Sequence, residues 1–145
     1  MKIWVLNGPN INMLGIREPG IYGTADYAAL CRMIEDKAAA LQIDVTILQS
    51  NEEGQLVTWI QQAREEADGI IINPAAYTHY SIALLDALKA AGLPAIEVHI
   101  SNIHQREEFR RRSYTAMACT GQICGLGLQG YLLALEAMKT RLSQS

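Results

Sequence analysis

Apolar runs and helical patterns alternate along the whole 145-residue chain, and this alternation limits its possible folds more than any other feature. Short runs of Ile, Val and Leu predict buried strands, whereas apolar residues that recur every three or four positions predict helices. Strands that alternate with helices are typical of a parallel sheet with helices packed on its faces. We therefore predict one α/β domain covering residues 1–145, a usual size for a single domain.

Five strand-and-helix units can be placed along the chain. The predicted strands lie at 2–6, 44–49, 69–72 and 95–100, with a fifth inside 116–124. The predicted helices run from a cap at Thr24 to about Leu41, across 56–67, over 81–91 and from 129 to about 142. Gly92 and Pro94 are typical of the end of the third helix.

A long polar loop follows the first predicted strand. It runs from Asn7 to Gly23 and contains Arg17 and Tyr22. Most strand-to-helix connections need only a few residues, so this one is too long to be a simple connector. We expect a site here, with a mobile active-site loop around residues 15–24.

Composition and charge exclude several classes of protein. Twelve basic against fifteen acidic residues give a formal charge of −3, which argues against a general nucleic-acid binder. No apolar run is long enough to cross a bilayer and the N-terminus does not resemble a signal peptide, so we expect a cytoplasmic protein. Cys31, Cys119 and Cys124 include no C-x-x-C pair and are predicted to be small buried apolar residues.

Polar side chains follow three of the predicted strands. They are Asn7, Asn10 and Asn12 after the first, Asn73, Tyr77, Thr78 and His79 after the third, and Glu97, His99, Ser101 and Asn102 in or after the fourth. A single Asn is usually a turn former and a lone His is usually structural. In parallel sheets, however, ligands bind at the carboxyl ends of strands, so this convergence favours a functional site.

The residue types narrow the chemistry of that site. All four lysines lie at a strand start or on predicted helices, which disfavours a Schiff base. His79 and His99 lack the ligand spacing of a metal site, so we expect no metal, and Glu97 and Asp86 fit better as orienting groups.

Tyr22 is a candidate base, beside Arg17 and with His99 opposite. This role would require its pKa to fall by about three units, or roughly 4 kcal/mol, which neighbouring guanidinium groups can supply. Packing of Tyr22 against the surface is the alternative.

The glycine-rich segment 125–130 matches the dinucleotide-binding pattern G-x-G-x-x-G. Only fifteen residues follow it, so there is no further strand and no acidic residue for a ribose. A nucleotide-dependent reductase is therefore disfavoured, and the glycines are predicted to permit close helix packing.

The whole chain resembles the type II 3-dehydroquinate dehydratases. The matching motifs are Leu6-Asn7-Gly8-Pro9-Asn10, Arg17-Glu18-Pro19 with Tyr22-Gly23, 73–79, 97–102, 106–110, and 125–127 with Gly130-Tyr131. The resemblance implies a flavodoxin-like three-layer α/β/α fold with a five-stranded parallel sheet of order 2-1-3-4-5. It also implies trimers that build a dodecamer, with no cofactor and no nucleic-acid or membrane partner.

The implied activity is conversion of 3-dehydroquinate to 3-dehydroshikimate, by anti elimination of water through an enolate, in the shikimate pathway. Tyr22 would be the base, held as tyrosinate by Arg17 with a contribution from Arg106. Asn10 would hold a water on the enolate. His99 would be the general acid, oriented by Glu97.

Further residues are implied to bind the substrate. They are Asn73, His79, the backbone of Ile100, Ser101, Arg110 and Asp86, the last reaching into a neighbouring subunit's site. On its own helix Asp86 could instead form an exposed pair with Lys89. A flavodoxin-like binding or signalling module without catalysis is the alternative function; it would need neither Tyr22 nor His99.

Overall fold

A parallel sheet of five strands forms the centre of the computed structural model, which describes residues 1–16, 20 and 24–144. The strands are β1 (Lys2–Asn7), β2 (Asp44–Gln49), β3 (Gly69–Asn73), β4 (Ala95–His99) and β5 (Gly121–Cys124). Their order is β2-β1-β3-β4-β5, and every neighbouring pair is parallel. The predicted fold class and strand order are confirmed.

Helices cover both faces of this sheet. In the described residues they are α1 (Tyr27–Ala40), α2 (Glu53–Glu66), α3 (Ile82–Ala91) and α4 (Gln129–Ser143). Ile3 and Val5 pack with α1 and α4, whereas Trp4 and Leu6 pack with α2 and α3. This division follows from the two-residue period of a strand, which sends successive side chains to opposite faces.

Two details of the sequence prediction are wrong. Asp26, not Thr24, caps α1: its side chain accepts a 2.8 Å hydrogen bond from the backbone N–H of Ala29, which satisfies a free amide of the first turn. The three cysteines are free but only half-buried, not buried as predicted. The predicted mobile loop around 15–24 falls mainly on residues 17–19 and 21–23, which lie outside the described residues.

The loops after β1 and β3 touch at Gly8. Its backbone N–H donates to the Asn73 carbonyl at 2.8 Å, and a Cβ at this position would lie 2.6 Å from the Pro74 carbonyl oxygen. Only glycine therefore permits this approach of the two backbones. The contact holds the carboxyl ends of the two central strands against each other.

Gly8→Ala is expected to destabilise the protein by about 1–3 kcal/mol, because the added methyl group must displace the Pro74 carbonyl. Urea denaturation measures the change in the free energy of unfolding. Gly54→Ala is the matched control, since a Cβ there meets nothing within 4 Å and lies in α2. A loss at Gly54 equal to the loss at Gly8 would contradict this reading.

Candidate active site

A cavity opens at the carboxyl ends of β1, β3 and β4, with an empty volume of about 470 Å³ that includes open solvent. The sequence-predicted residues that line it are Asn10, Asn73, His79, His99, Ile100, Ser101, Arg106 and Arg110. Pro9, Ile11, Ala75, Ala76 and Ile103 complete the lining. The cavity thus combines two imidazoles, two amides and two guanidinium groups with small apolar surfaces.

Among the described residues, two that were predicted from the sequence do not line this cavity. Glu97 lies behind His99 and is completely buried. Asp86 is exposed on α3 and lies outside the cavity lining; it forms no ion pair with Lys89 either, so that interpretation is wrong. Arg17 and Tyr22 lie outside the described residues.

His99 and Glu97 form a buried hydrogen-bonded pair on β4. His99 Nε2 lies 2.9 Å from Glu97 Oε2, and the two side chains are 6% and 0% exposed. An ionised carboxylate can only accept, so Nε2 carries the proton of this bond. His99 Nδ1 pairs with no group among the described residues, which leaves it for a ligand in the cavity that the ring lines.

Glu97 also accepts hydrogen bonds from three neutral side chains. Ser113 Oγ donates to Oε2 at 2.7 Å, Gln122 Nε2 donates to Oε2 at 2.6 Å, and Thr115 Oγ1 donates to Oε1. Burial raises the pKa of Glu97, but the hydrogen bond and charge of His99 and the two hydroxyls outweigh it and lower the pKa to about 2. Glu97 is therefore a carboxylate throughout the neutral range.

His79 lies beside His99, with its ring 6.5 Å away between centroids and tilted by 23°. Its Nδ1 is 2.8 Å from the Arg112 carbonyl, so this nitrogen carries the proton. Burial and the charges of His99 and Arg110 lower the pKa of His79, although the bond to Arg112 opposes them. The ring is neutral at pH 7, and its Nε2 is a hydrogen-bond acceptor.

A buried network fixes the amide of Asn73. The Tyr131 hydroxyl donates to Asn7 Oδ1 at 2.7 Å and accepts from Asn73 Nδ2 at 2.8 Å. Asn73 Oδ1 accepts from the Ala75 N–H at 3.0 Å. All three side chains are at most 2% exposed. The network therefore joins α4 to the ends of β1 and β3 and leaves the Asn73 amide little freedom to rotate.

Asn10 is held in an unusual backbone conformation, with φ 70°. Its N–H donates to Asn51 Oδ1 at 3.0 Å, and Gln49 Nε2 donates to the same oxygen at 3.1 Å. Asparagine tolerates the left-handed region better than most residues. Asn51 on the neighbouring loop therefore positions Asn10 within the polar loop.

Two glycines of the 125–130 segment hold the end of β4. Gly125 N–H donates to the His99 carbonyl at 3.2 Å and Gly127 N–H donates to the Ile100 carbonyl at 3.1 Å. Both have positive φ, and a Cβ on Gly130 would contact Val98 and Ile123 at 3.3–3.4 Å. The close helix packing predicted for this segment is confirmed, and two of its glycines also fix the backbone of the site.

Sequence reasoning missed several residues that support the site. They are Asn51, Ser113, Thr115 and Gln122, together with the hydrogen bonds of the Tyr131 hydroxyl to Asn7 and Asn73. Isolated Ser, Thr and Gln residues carry no periodic signal, and their partner Glu97 lies 16 to 25 residues away. The Tyr131 side chain could have been suspected, because it is the polar-tipped residue on the buried face of a helix that packs on the sheet.

The arrangement suits acid–base chemistry on a small anion. Arg106 and Arg110 supply positive charge at the cavity, and Glu107 holds Arg110 through a 2.7 Å ion pair. No cluster of three potential metal ligands occurs among residues 1–16, 20 and 24–144, and no helix there is long and apolar enough to cross a membrane. A parallel α/β sheet with a buried imidazole–carboxylate pair beside two arginines defines a class of small acid–base enzymes.

Comparison with known proteins gives the family. The model of the family "Dehydroquinase class II" matches residues 1–139, and the chain belongs to this family. A protein of Clostridium acetobutylicum named 3-dehydroquinate dehydratase is 56% identical over 144 residues, which are 99% of this chain and 100% of that one. A protein of the same name from Lachnoclostridium phytofermentans is 59% identical over 139 residues, 95% of this chain and 96% of the other.

Solved structures agree with the sequence relatives. The type II dehydroquinase of Butyrivibrio crossotus superposes with a TM-score of 0.94 at 51% identity, and each chain is covered to 97%. The type II dehydroquinase of Propionibacterium acnes gives a TM-score of 0.93 at 47% identity, with 96% of each chain covered. The family resemblance read from the motifs is confirmed.

The lowered pKa of Glu97 predicts a defined loss of stability in acid. Its folded-state pKa is depressed, so its contribution is present above about pH 4.5 and disappears as pH falls toward 2. The stability advantage of the wild type over Glu97→Gln should therefore shrink by roughly 3 kcal/mol between pH 6 and pH 2. Urea denaturation of both proteins at several pH values measures this difference; an advantage independent of pH would show that Glu97 is not a stabilised carboxylate.

Proposed function

We propose that the protein is a 3-dehydroquinate dehydratase, a lyase that converts 3-dehydroquinate to 3-dehydroshikimate by anti elimination of water. The observation that carries the proposal is the buried His99–Glu97 pair, which opens on a cavity beside Arg106 and Arg110. Membership of the class II dehydroquinase family and the names of its relatives supply the substrate. The reaction belongs to the shikimate pathway of aromatic amino acid biosynthesis.

The proton balance of this elimination needs one base and one acid. The base takes a proton from C2 of the substrate, and the electrons of that C–H bond form an enolate with the neighbouring carbonyl. The enolate then collapses to a C=C bond as the C1–O bond breaks, and the acid gives its proton to the departing hydroxyl. One water leaves, and proton exchange with solvent restores both catalytic groups.

His99 is the proposed acid. Its Nε2–H remains hydrogen-bonded to Glu97, while Nδ1 of the same ring, which lines the cavity, gives up the proton. Glu97 cannot take over this role, because its pKa is far below neutral. It keeps the ring in one orientation and stabilises the positive charge that the acid carries before transfer.

Tyr22 is the proposed base, with Arg17 and Arg106 favouring its phenolate form. Both Tyr22 and Arg17 lie outside the described residues, so this assignment rests on the family motif Arg17-Glu18-Pro19 with Tyr22-Gly23. A fixed guanidinium charge favours an ionised phenol over a neutral one. Asn10 holds the water that donates to the enolate oxygen.

The remaining polar groups of the cavity match a hydroxylated carboxylate. Asn73, the Ile100 backbone, Ser101 and Arg110 bind the carboxylate and hydroxyls. The acceptor Nε2 of His79 binds a further hydroxyl. Gly127 and the Tyr131 network support this binding, because they fix the Ile100 backbone and the Asn73 amide before the substrate arrives.

A homododecamer built of trimers is the proposed assembly, and the cytoplasm is the proposed location. Asp86 is exposed on α3, away from the cavity of its own chain. This placement fits a contribution to the site of a neighbouring subunit. The assembly then supplies a charged group that one chain alone does not bring to its cavity.

Purified protein given 3-dehydroquinate is expected to generate the ultraviolet absorbance of a conjugated enone, with no cofactor or metal added. The mass of the same preparation, measured by sedimentation, should correspond to twelve chains. Borohydride added with the substrate should leave activity unchanged, because no lysine imine forms. A correctly assembled sample without the enone signal would falsify the proposed activity.

Tyr22→Phe is expected to reduce kcat by at least about 100-fold with a nearly unchanged KM, because it removes the base but leaves the binding groups. Tyr80→Phe is the matched control: Tyr80 is 60% exposed, lies outside the cavity lining and should tolerate loss of its hydroxyl. Steady-state kinetics of both variants measures the effect. Full activity of Tyr22→Phe would place the base elsewhere, and full activity of His99→Gln would place the acid elsewhere.

A further inference from the structure

Three hydroxyl groups lie together beside Glu97, and two of them donate hydrogen bonds to it. Thr78 Oγ1 is 2.7 Å from Ser113 Oγ and 2.5 Å from Thr115 Oγ1, and we refer to these three side chains as the hydroxyl cluster. Thr78 and Thr115 are completely buried. None of the three lines the cavity, so the steps described above do not use them.

Two members of the hydroxyl cluster, Ser113 and Thr115, donate hydrogen bonds to Glu97 together with Gln122 and His99. An ionised carboxylate offers about four acceptor positions. Glu97 receives one bond each from His99, Ser113 and Gln122 at Oε2, and one from Thr115 at Oε1. Four donors from three parts of the chain thus meet one carboxylate, which cannot rotate without breaking several bonds together.

We propose that Ser113 and Thr115, assisted by Gln122, position the general acid through Glu97: they hold its carboxylate in the one orientation that receives His99 Nε2–H. This inference deepens the proposed function and rests on it. Ser113, Thr115 and Gln122 do not touch the substrate. Through Glu97 they keep a proton on His99 Nε2 and fix the position of Nδ1. They are positioning residues.

Thr78 has a different and weaker role in the cluster. Its hydroxyl has one proton and two neighbouring oxygens, so it can donate to only one of them at a time. It also precedes His79, and its carbonyl accepts from the Tyr114 N–H at 2.8 Å. The segment 112–115 therefore contacts both His79 and Glu97.

The charges around Glu97 are consistent with positioning by neutral groups. Within the described ranges, His99 is the only basic side chain that hydrogen-bonds Glu97. Burial and the charge of Glu97 raise the pKa of Cys119 to about 12 and that of Cys124 to about 11. Both therefore remain neutral thiols. Neutral hydroxyls and an amide can stabilise the carboxylate without competing as cations with His99 for its charge.

The kinetic test removes one hydroxyl at a time. Ser113→Ala and Thr115→Val should each lower kcat about 10-fold, less than the roughly 100- to 10,000-fold that a general acid contributes, while KM changes less than about twofold. Thr115→Ser keeps the hydroxyl and should recover most of the lost kcat. Thr46→Val is the matched control on exposed β2 and should leave kcat unchanged.

A second measurement reports the position of the proton without substrate. Nitrogen-15 NMR of the neutral His99 ring should show the Nε2–H tautomer in the wild type and in Thr115→Ser. In Ser113→Ala and Thr115→Val, a share of the Nδ1–H tautomer should appear, because a less restrained carboxylate holds Nε2–H less firmly. Circular dichroism checks that each variant is folded. If Thr115→Val does not fold, the tautomer measured in Ser113→Ala tests the inference.

The outcomes separate this inference from the proposed function. In an enzyme active on 3-dehydroquinate, both kcat and the tautomer must change, and if either stays as in the wild type the inference is overturned. If the wild type has no such activity but the tautomer shifts, the proposed function fails, and the hydroxyls are shown to orient His99 through Glu97 but not to position a general acid. If the protein is inactive and the tautomer does not move, both fail.

Discussion

The charge of Glu97, completely buried in a central strand, is the constraint on which the rest of the site depends. A buried carboxylate without partners would lose its hydration at a cost of several kcal/mol or would take up a proton. Here His99 and three neutral donors replace the water. The orientation of His99 and the placement of Ser113 and Thr115 are both tied to keeping this one group ionised.

A second set of contacts fixes the surroundings of that pair. Gly8 lets the loops after β1 and β3 approach, Tyr131 ties the amides at the ends of the same strands, and Gly125 and Gly127 hold the end of β4. These contacts lie behind the cavity and involve backbone or buried amides. The groups that face a ligand are thus held in place before it binds, which is the condition for effective electrostatic catalysis.

The sequence predicts the framework of this site well, because the framework depends on local patterns. Alternating apolar runs place the strands, and the carboxyl ends of parallel strands collect Asn10, Asn73 and His99 as expected. The first residue of a helix is harder to predict from the sequence. Thr24 and Asp26 are both suitable N-cap residues for α1, and the structure shows that Asp26 is the cap. The partners of Glu97 could not be predicted, since hydroxyls and amides meet it across 16 to 25 residues without any repeating pattern.

The most direct test is a crystal structure of the protein with 3-dehydroshikimate or an unreactive substrate analogue bound. We expect the ring of the ligand to lie between Asn73, His79 and Arg110. His99 Nδ1 should then be within hydrogen-bonding distance of the position of the C1 oxygen, with Nε2 still hydrogen-bonded to Glu97. A ligand bound elsewhere, or a His99 ring that presents Nε2 to the ligand and has left Glu97, would contradict this expectation.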